Sequence, residues 1–341
     1  MALATGDFDY ELPDSAIAQQ PIEPRDSARL LVGSTLEDRT FRDLPDLLHP
    51  GDLVVVNRTR VRAARLEARR ASGGAVEVLL LDRTQSGSWT CLVRPARKIK
   101  TGETLKAGAL DIRVLVAPVE GVTEVHLSAP GDVEETVASV GEVPLPPYIR
   151  ETLADPERYQ TIFAESVGSA AAPTAGLHFT DEVVAGLLSR GVSMASVELS
   201  VGLDTFRPIA TESVAEHQMH SERYAVPSET ARAIAAAHAA GARVVAIGTT
   251  VVRTLESAAV GDHEVAVGES ATELFITPGF EFRVVDALVT NFHAPRTTLI
   301  VMIAAFIGER WRDVYEHALA SGYRFLSFGD AMLLEPEAGD A

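Results

Sequence analysis

Arg243-Val-Val-Ala-Ile247-Gly248-Thr249-Thr250-Val-Val-Arg253-Thr-Leu255-Glu256 decides the fold. The run through Ile247 reads as a core strand, Gly248 as a tight turn, and the spacing of Val252 and Leu255 as a helix. A strand feeding a helix through so short a turn belongs to an α/β layer, whose strand-end loops carry ligands. The first N–H groups of that helix and the hydroxyls of Thr249 and Thr250 suit an anionic group. No lysine or P-loop spacing accompanies them, and there is no G-x-G-x-x-G. The plainer alternative is a capped helix after a core strand, with Arg253 and Glu256, three apart on one face, paired with each other.

The alternation extends outward. Residues 192–201, 274–276 and 284–289 read as strands, and 325–334 as a strand-like closing segment. Ser228 caps a helix ending at Gly241, and 299–307 and 310–320 are helical. Upstream, the Pro50-Gly51-Asp52 turn leads into a buried strand, Leu53-Val-Val-Val56. Residues 58–140 differ. Segments 75–81, 88–93, 111–116 and 122–127 are short and partly alternating, with Gly and Asp turns at the spacing of a small barrel or sandwich. No helix is expected before about Val133. The residues therefore predict an α/β layer or barrel interrupted by an all-β insertion, with residues 1–60 and 145–341 in the first domain and 61–144 in the second.

Composition narrows the classes. The chain has 341 residues, 46% hydrophobic and 23% charged, which leaves room for a large core. The longest apolar run, 299–307, is too short to cross a bilayer, and no signal peptide is expected at the start. The single cysteine, Cys91, excludes an intramolecular disulfide and a cysteine-cluster metal site. A cytoplasmic monomer with no membrane contact is expected. The net charge of −18 argues against indiscriminate nucleic-acid binding. Two local clusters run the other way: Arg58, Arg60, Arg62, Arg65, Arg69 and Arg70, and then Arg94, Arg97, Lys98 and Lys100. They flank the β insertion and suit phosphate contacts, or else form a solvated, salt-bridged surface.

Gly168-Ser-Ala-Ala-Ala-Pro-Thr-Ala-Gly-Leu-His-Phe-Thr180 is a second candidate site. Its small side chains let a ligand approach the backbone, and Thr174 and His178 add polar atoms. It is expected to be a loop leading to a helix capped by Thr180 and stopped by Gly191. The bland alternative is a buried turn with a satisfied histidine. His217-Gln-Met-His220-Ser-Glu222 lacks the helical spacing of zinc hydrolases, so an acid/base or hydrogen-bonding role is favoured over a metal. Asn291-Phe-His293 lies at a strand end, where it either meets substrate or caps a helix. Asp330 sits in a turn, where Asp more often bonds its own backbone.

Longer words in this order carry a resemblance: Pro50-Gly-Asp-Leu, Pro144-Leu-Pro-Pro-Tyr-Ile149, Ala172-Pro-Thr-Ala-Gly-Leu-His-Phe179, His217-Gln-Met-His-Ser-Glu222, Gly248-Thr-Thr-Val-Val-Arg253, Val285-Asp-Ala-Leu-Val-Thr-Asn-Phe-His293 and Tyr323-Arg-Phe-Leu-Ser-Phe-Gly-Asp-Ala-Met332. Together they resemble the S-adenosylmethionine:tRNA ribosyltransferase-isomerases of queuosine biosynthesis over nearly the whole chain. The resemblance implies a distorted α/β barrel with an inserted small antiparallel β-barrel. It implies transfer of the ribosyl part of S-adenosylmethionine to 7-aminomethyl-7-deazaguanine at the tRNA wobble position, giving epoxyqueuosine, adenine and methionine. The partners are then S-adenosylmethionine and a tRNA with a deazaguanine wobble base. No metal or cofactor beyond that co-substrate is required, because the cation already sits on its sulfonium.

On this resemblance His178, His220, Glu222 and His293 are the acid/base candidates, unranked. Pro173, Thr174, Ala175, Gly176, Phe179, Arg207, Gly248, Thr249, Thr250, Arg253, Asn291 and Asp330 are expected to bind substrate. Arg58, Arg60, Arg62, Arg97, Lys98 and Lys100 are expected to meet RNA. Two departures stand out: Ser200 replaces a His and Asp204 a Gly of the family pattern. They keep open a relative of the same fold with another acceptor. A non-catalytic tRNA-binding protein is the third reading.

Overall fold

Alternating apolar residues build a sheet that is buried on both faces. Leu53, Val55, Val244, Ala246 and Leu288 belong to one core, and Val54, Val56, Val245, Ile247, Ala287 and Val289 to the other. Successive side chains on a strand point to opposite faces, so continuous Val/Ile/Leu runs are what a doubly covered strand requires. Helices Ser228–Ala239, Thr249–Ala258, Thr298–Ile307 and Trp311–Ala320 contribute to the first core, and Asp181–Ser189 to the second.

The structure is a computed structural model that describes residues 3–84, 86–202 and 207–336. The chain divides into two compact units, Met1–Arg60 with Pro146–Ala341, and Val61–Leu145. The larger is α/β. Its mixed sheet has nine strands in the order Gly268–Thr272, Glu222–Val226, Ser193–Leu199, Leu53–Asn57, Val244–Ile247, Ala287–Asn291, Ala331–Leu334, Arg29–Val32 and Glu37–Thr40. The four strands from Ser193–Leu199 to Ala287–Asn291 are mutually parallel. Their C-terminal ends therefore meet at one edge of the sheet.

The opposite edge is tied by charge. Asp52, just before its strand, accepts from Arg243 Nη2 at 2.6 Å, Arg243 N at 3.2 Å and His49 N at 2.9 Å. Arg243 precedes the neighbouring strand, so this pair sets where the two strands start. Burial alone would raise the Asp52 carboxyl, but the bonds from Arg243 and His49 hold it below its ordinary value.

The smaller unit is a closed antiparallel barrel. Strands Arg65–Arg70, Ala75–Arg83, Trp89–Arg94, Val122–Ser128, Leu110–Val114 and Thr104–Ala107 follow one another, and the last pairs back with the first through Arg69↔Lys106 and Arg70↔Leu105. Cys91 is buried inside it, and burial pushes its thiol up to about 12. Helix Val133–Val140 follows, capped by Asp132 Oδ1 accepting from Glu135 N at 2.9 Å.

Several expectations change. Arg65–Arg70 and Thr104–Ala107 are strands that the sequence reading lacked. The first hid inside a basic cluster, yet Leu66 and Ala68 alternate inward between exposed or half-exposed neighbours. Residues 274–276 are not a strand; the edge strand lies earlier, at Gly268–Thr272, of which only Thr272 is buried. The strand expected over 284–289 begins only at Ala287, because the N–H groups of Val284 and Val285 bond the Glu256 carboxylate. Glu256 is thereby occupied and does not pair with Arg253. No helix among the described residues is long and apolar enough to cross a membrane.

Replacing Asp52 by Ala removes the tie and leaves Arg243 half-satisfied, and should cost about 2–3 kcal/mol of stability, read from the urea midpoint. Asp52 is depressed in the folded state, so its contribution is whole above its ordinary pKa of 3.8 and is lost as pH falls below it. The Ala variant should therefore show a shallower loss of stability below about pH 4 than the parent.

Candidate functional site

The site forms where the four parallel strands end, the usual place for ligands in an α/β sheet. Val201 follows one strand by two residues, Gly248 follows another directly, and Asn291 ends a third. All three line a cavity partly open to solvent, with Tyr148, Pro173, Thr174, Ala175, Thr249, Thr250, Thr290, His293, Leu326 and Ser327. Gly248 has a φ of 90°, which side-chain-bearing residues rarely adopt, and an ideal β-carbon there would lie 3.4 Å from the Ala175 methyl. The two stretches singled out in the sequence thus close on each other.

The small-residue stretch is more ordered than a loop. Ser166–Ser169 is a strand, and Thr174–His178 is a tight helical turn. Ala175 and Gly176 are small enough to pack it closely: an ideal β-carbon at Gly176 would be 2.9 Å from the Thr161 methyl. Thr180 then caps the following helix, accepting from Val183 N at 3.3 Å.

Polar groups in the wall form a chain. Thr174 Oγ1 bonds Asn291 Oδ1 at 2.8 Å, Asn291 Nδ2 lies 3.2 Å from His178 Nε2, and Nδ2 also reaches the Asp330 carbonyl at 3.3 Å. His178 sits behind Asn291 and does not line the cavity; its ring packs 5.0 Å from that of Phe41. His293 does line it. Its Nε2 is 3.1 Å from Thr290 Oγ1, and its peptide is held by Tyr10 and Tyr315 hydroxyls, on the carbonyl and the N–H respectively. Burial lowers both imidazoles to about 3, with Arg324 and Arg25 adding to the effect at His178. Both are neutral at pH 7.

Of the substrate-binding candidates, Pro173, Thr174, Ala175, Gly248, Thr249, Thr250 and Asn291 meet at this cavity. The others do not line it. Phe179 is core, packed on Phe41 and Phe163. Gly176 serves the turn. Asp330 accepts from the backbone N–H groups of Arg29 and Arg324, the structural role usual for such a turn. Arg253 and Glu222 are buried and paired with each other, and Glu222 also accepts from Gly202 N at 3.0 Å. Glu222 thus balances a buried guanidinium, and His220, two residues before it, is likewise away from the cavity. Arg207 is exposed. Asp204 lies outside the described residues. Ser200 immediately precedes the cavity residue Val201.

The basic clusters separate by their partners. Arg58 pairs with Glu198, Arg60 with Glu157, Arg62 with Glu134 and Arg70 with Glu103. Arg94, Arg97, Lys98 and Lys100 are exposed, and no salt bridge engages them among the described residues. The sequence reading missed Tyr148, Thr290 and Ser327 as cavity residues. Tyr148 stood in a motif already quoted, and Thr290 directly precedes Asn291. Tyr10 and Tyr315 gave no signal, since they act on His293 through its backbone.

A largely apolar cavity with a few fixed hydroxyl, amide and imidazole groups, at the C-terminal edge of a parallel sheet, is the arrangement in which α/β enzymes hold small molecules. The sequence pattern of the queuosine biosynthesis protein family matches residues 5–334. The S-adenosylmethionine:tRNA ribosyltransferase-isomerase of Moorella thermoacetica is 52% identical over 337 residues, covering 96% of this chain and 98% of its own. Its counterpart in Thermotoga maritima is 47% identical over 338 residues, covering 97% and 100%. The crystal structure of the Thermotoga maritima S-adenosylmethionine tRNA ribosyltransferase superposes with a TM-score of 0.54 at 39% identity, covering 96% of this chain and 99% of that one. The chain belongs to the queuosine biosynthesis protein family.

Two outcomes follow from the buried groups. His178 and His293 fall from 6.5 to about 3 on folding, so unfolding takes up protons between those values. Stability should be whole above pH 6.5 and drop on acidification by up to roughly 1.4 kcal/mol per pH unit for each histidine. Urea midpoints measured from about pH 7.5 down to 4.5 check this, and a flat profile contradicts it. Glu222→Ala strands a buried guanidinium and should lose about 3–5 kcal/mol. Were Glu222 only a catalytic base, its thermal midpoint would stay unchanged.

Proposed function

We propose that this chain transfers and isomerises the ribosyl part of S-adenosylmethionine onto 7-aminomethyl-7-deazaguanine at the wobble position of tRNA. Adenine and methionine leave, and epoxyqueuosine remains in the RNA. The observation that carries the reading is the cavity itself. The small-residue turn, the Gly248–Thr250 helix start and the Asn291–His293 strand end converge there, in a chain about half identical to enzymes bearing that name.

The sulfonium acidifies the adjacent C5′ hydrogens, so a positioned base starts the reaction and a proton donor assists adenine departure. The aminomethyl nitrogen of the RNA base is the nucleophile, and the thioether is expelled as methionine. His293 is the acid/base candidate with access to the cavity; being neutral, it offers a lone pair or an N–H without adding charge there. His178 acts through Asn291. The exposed Arg94, Arg97, Lys98 and Lys100 suit the RNA backbone. No cofactor beyond S-adenosylmethionine is called for, and the protein works as a cytoplasmic monomer.

The test is a discontinuous assay with S-adenosylmethionine and an anticodon stem-loop carrying 7-aminomethyl-7-deazaguanine, followed by adenine release and RNA mass. Adenine together with the heavier RNA is expected. His293→Ala should cut turnover by about 10²–10⁴ while leaving S-adenosylmethionine binding within a few-fold. Bound S-adenosylmethionine with neither product would point instead to another amine acceptor, the reading that Ser200 beside the cavity favours.

A further inference from the structure

The hydrogen bonds in the cavity wall have directions that the backbone fixes. The Asp330 carbonyl can only accept, so the amide terminus of Asn291 lying 3.3 Å from it is Nδ2. Nδ2 also donates to His178 Nε2 at 3.2 Å, which places the imidazole proton on Nδ1. The other terminus, Oδ1, can only accept, and its partner is Thr174 Oγ1 at 2.8 Å. Thr174 therefore commits its one proton inside the wall and turns lone pairs to the cavity.

Thr250 has the opposite polarity. Asn57 Oδ1 accepts from the N–H groups of Thr59 at 3.0 Å and Leu199 at 3.4 Å. Asn57 Nδ2 is then the atom that reaches the Leu199 carbonyl at 3.0 Å and Thr250 Oγ1 at 3.3 Å. Thr250 accepts there and keeps its proton to donate. Both groups line the same cavity, and Gly248 packs between their segments: an ideal β-carbon there would lie 3.8 Å from Thr250 Oγ1 and 3.4 Å from Ala175, the neighbour of Thr174.

Among the described residues, no Asp, Glu, Lys or Arg lines this cavity. A charged group would be desolvated there without a partner, so the part of the ligand it takes is neutral. Ala172, Pro173, Val201 and Leu326 give it apolar walls suited to a flat ring. We propose that this is an adenine subsite, in which Thr174 accepts from the exocyclic 6-amino group and Thr250 donates to a ring nitrogen. The inference rests on S-adenosylmethionine being the co-substrate, and it makes Thr174 a specificity residue. A 6-oxo purine would set its carbonyl lone pairs against those of Thr174, and an unmatched buried polar group is rejected strongly. His178 is a positioning residue: its Nε2 accepts from the amide that orients Thr174.

Calorimetric titration of the full chain with S-adenosylmethionine and its 6-oxo analogue, S-inosylmethionine, tests the subsite. The parent should favour the amino form by at least roughly tenfold. Thr174→Val should bind S-adenosylmethionine roughly tenfold more weakly and lose most of that preference, while Thr174→Ser keeps it. No preference in the parent, or the same preference in the Val variant, overturns the proposal. The ¹⁵N spectrum of His178 in the unliganded parent tests the polarity without any variant: an unprotonated Nε2 supports it, and a protonated Nε2 overturns it. A parent that binds neither compound overturns the co-substrate and this subsite together. Binding without discrimination removes the subsite alone.

Discussion

Strand Leu53–Asn57 has a parallel neighbour on each side and a packed core on each face. Nothing polar can stand in its middle without losing a water partner, so its chemistry is confined to its ends. The N-terminal end holds Asp52, bound to Arg243. The C-terminal end holds Asn57, bound to Thr250. One end sets where the strands begin and the other holds the Thr250 hydroxyl at the cavity. The site owes its geometry to that division, because parallel strands that start together deliver their following turns together.

The site therefore stands on rigid elements. Gly248 and Asn291 are fixed by the sheet, and Thr174 is fixed to Asn291 by a side-chain bond. Two carboxylates are consumed in support of this frame: Glu222, an acid/base candidate, by a buried guanidinium, and Glu256 by three backbone N–H groups. Burial removes charge from the histidines for the same reason that it demands partners for the acids. What remains in the cavity is a set of neutral donors and acceptors.

Much of this was legible in the sequence, and the gaps have physical causes. Strand–turn–helix at Val244–Thr250 reads directly because its apolar run is continuous and its glycine is obligatory. The barrel strand Arg65–Arg70 was obscured because its outward positions, Arg65, Glu67 and Arg69, are charged and sit in an arginine-rich run that masks the alternation. The Thr174 stretch declared itself through small residues, but its helical turn depends on packing under Thr161, a contact with no local signature. Pairings such as Glu222 with Arg253 join residues 31 apart in the chain, and only the folded sheet brings them together. Spacing on one helix suggested Glu256 instead, and tertiary hydrogen bonding overrode it.

The neutrality of the cavity also bears on reactivity. A carboxylate beside the sulfonium would stabilise that cation in the ground state, and with it the very charge that makes the C5′ hydrogens acidic. In the subsite proposed above, hydroxyl and amide groups hold the neutral adenine, and the cavity wall brings no carboxylate towards the sulfonium. Glu222 and Glu256 are turned into the supporting frame, so the wall that meets the nucleoside stays neutral.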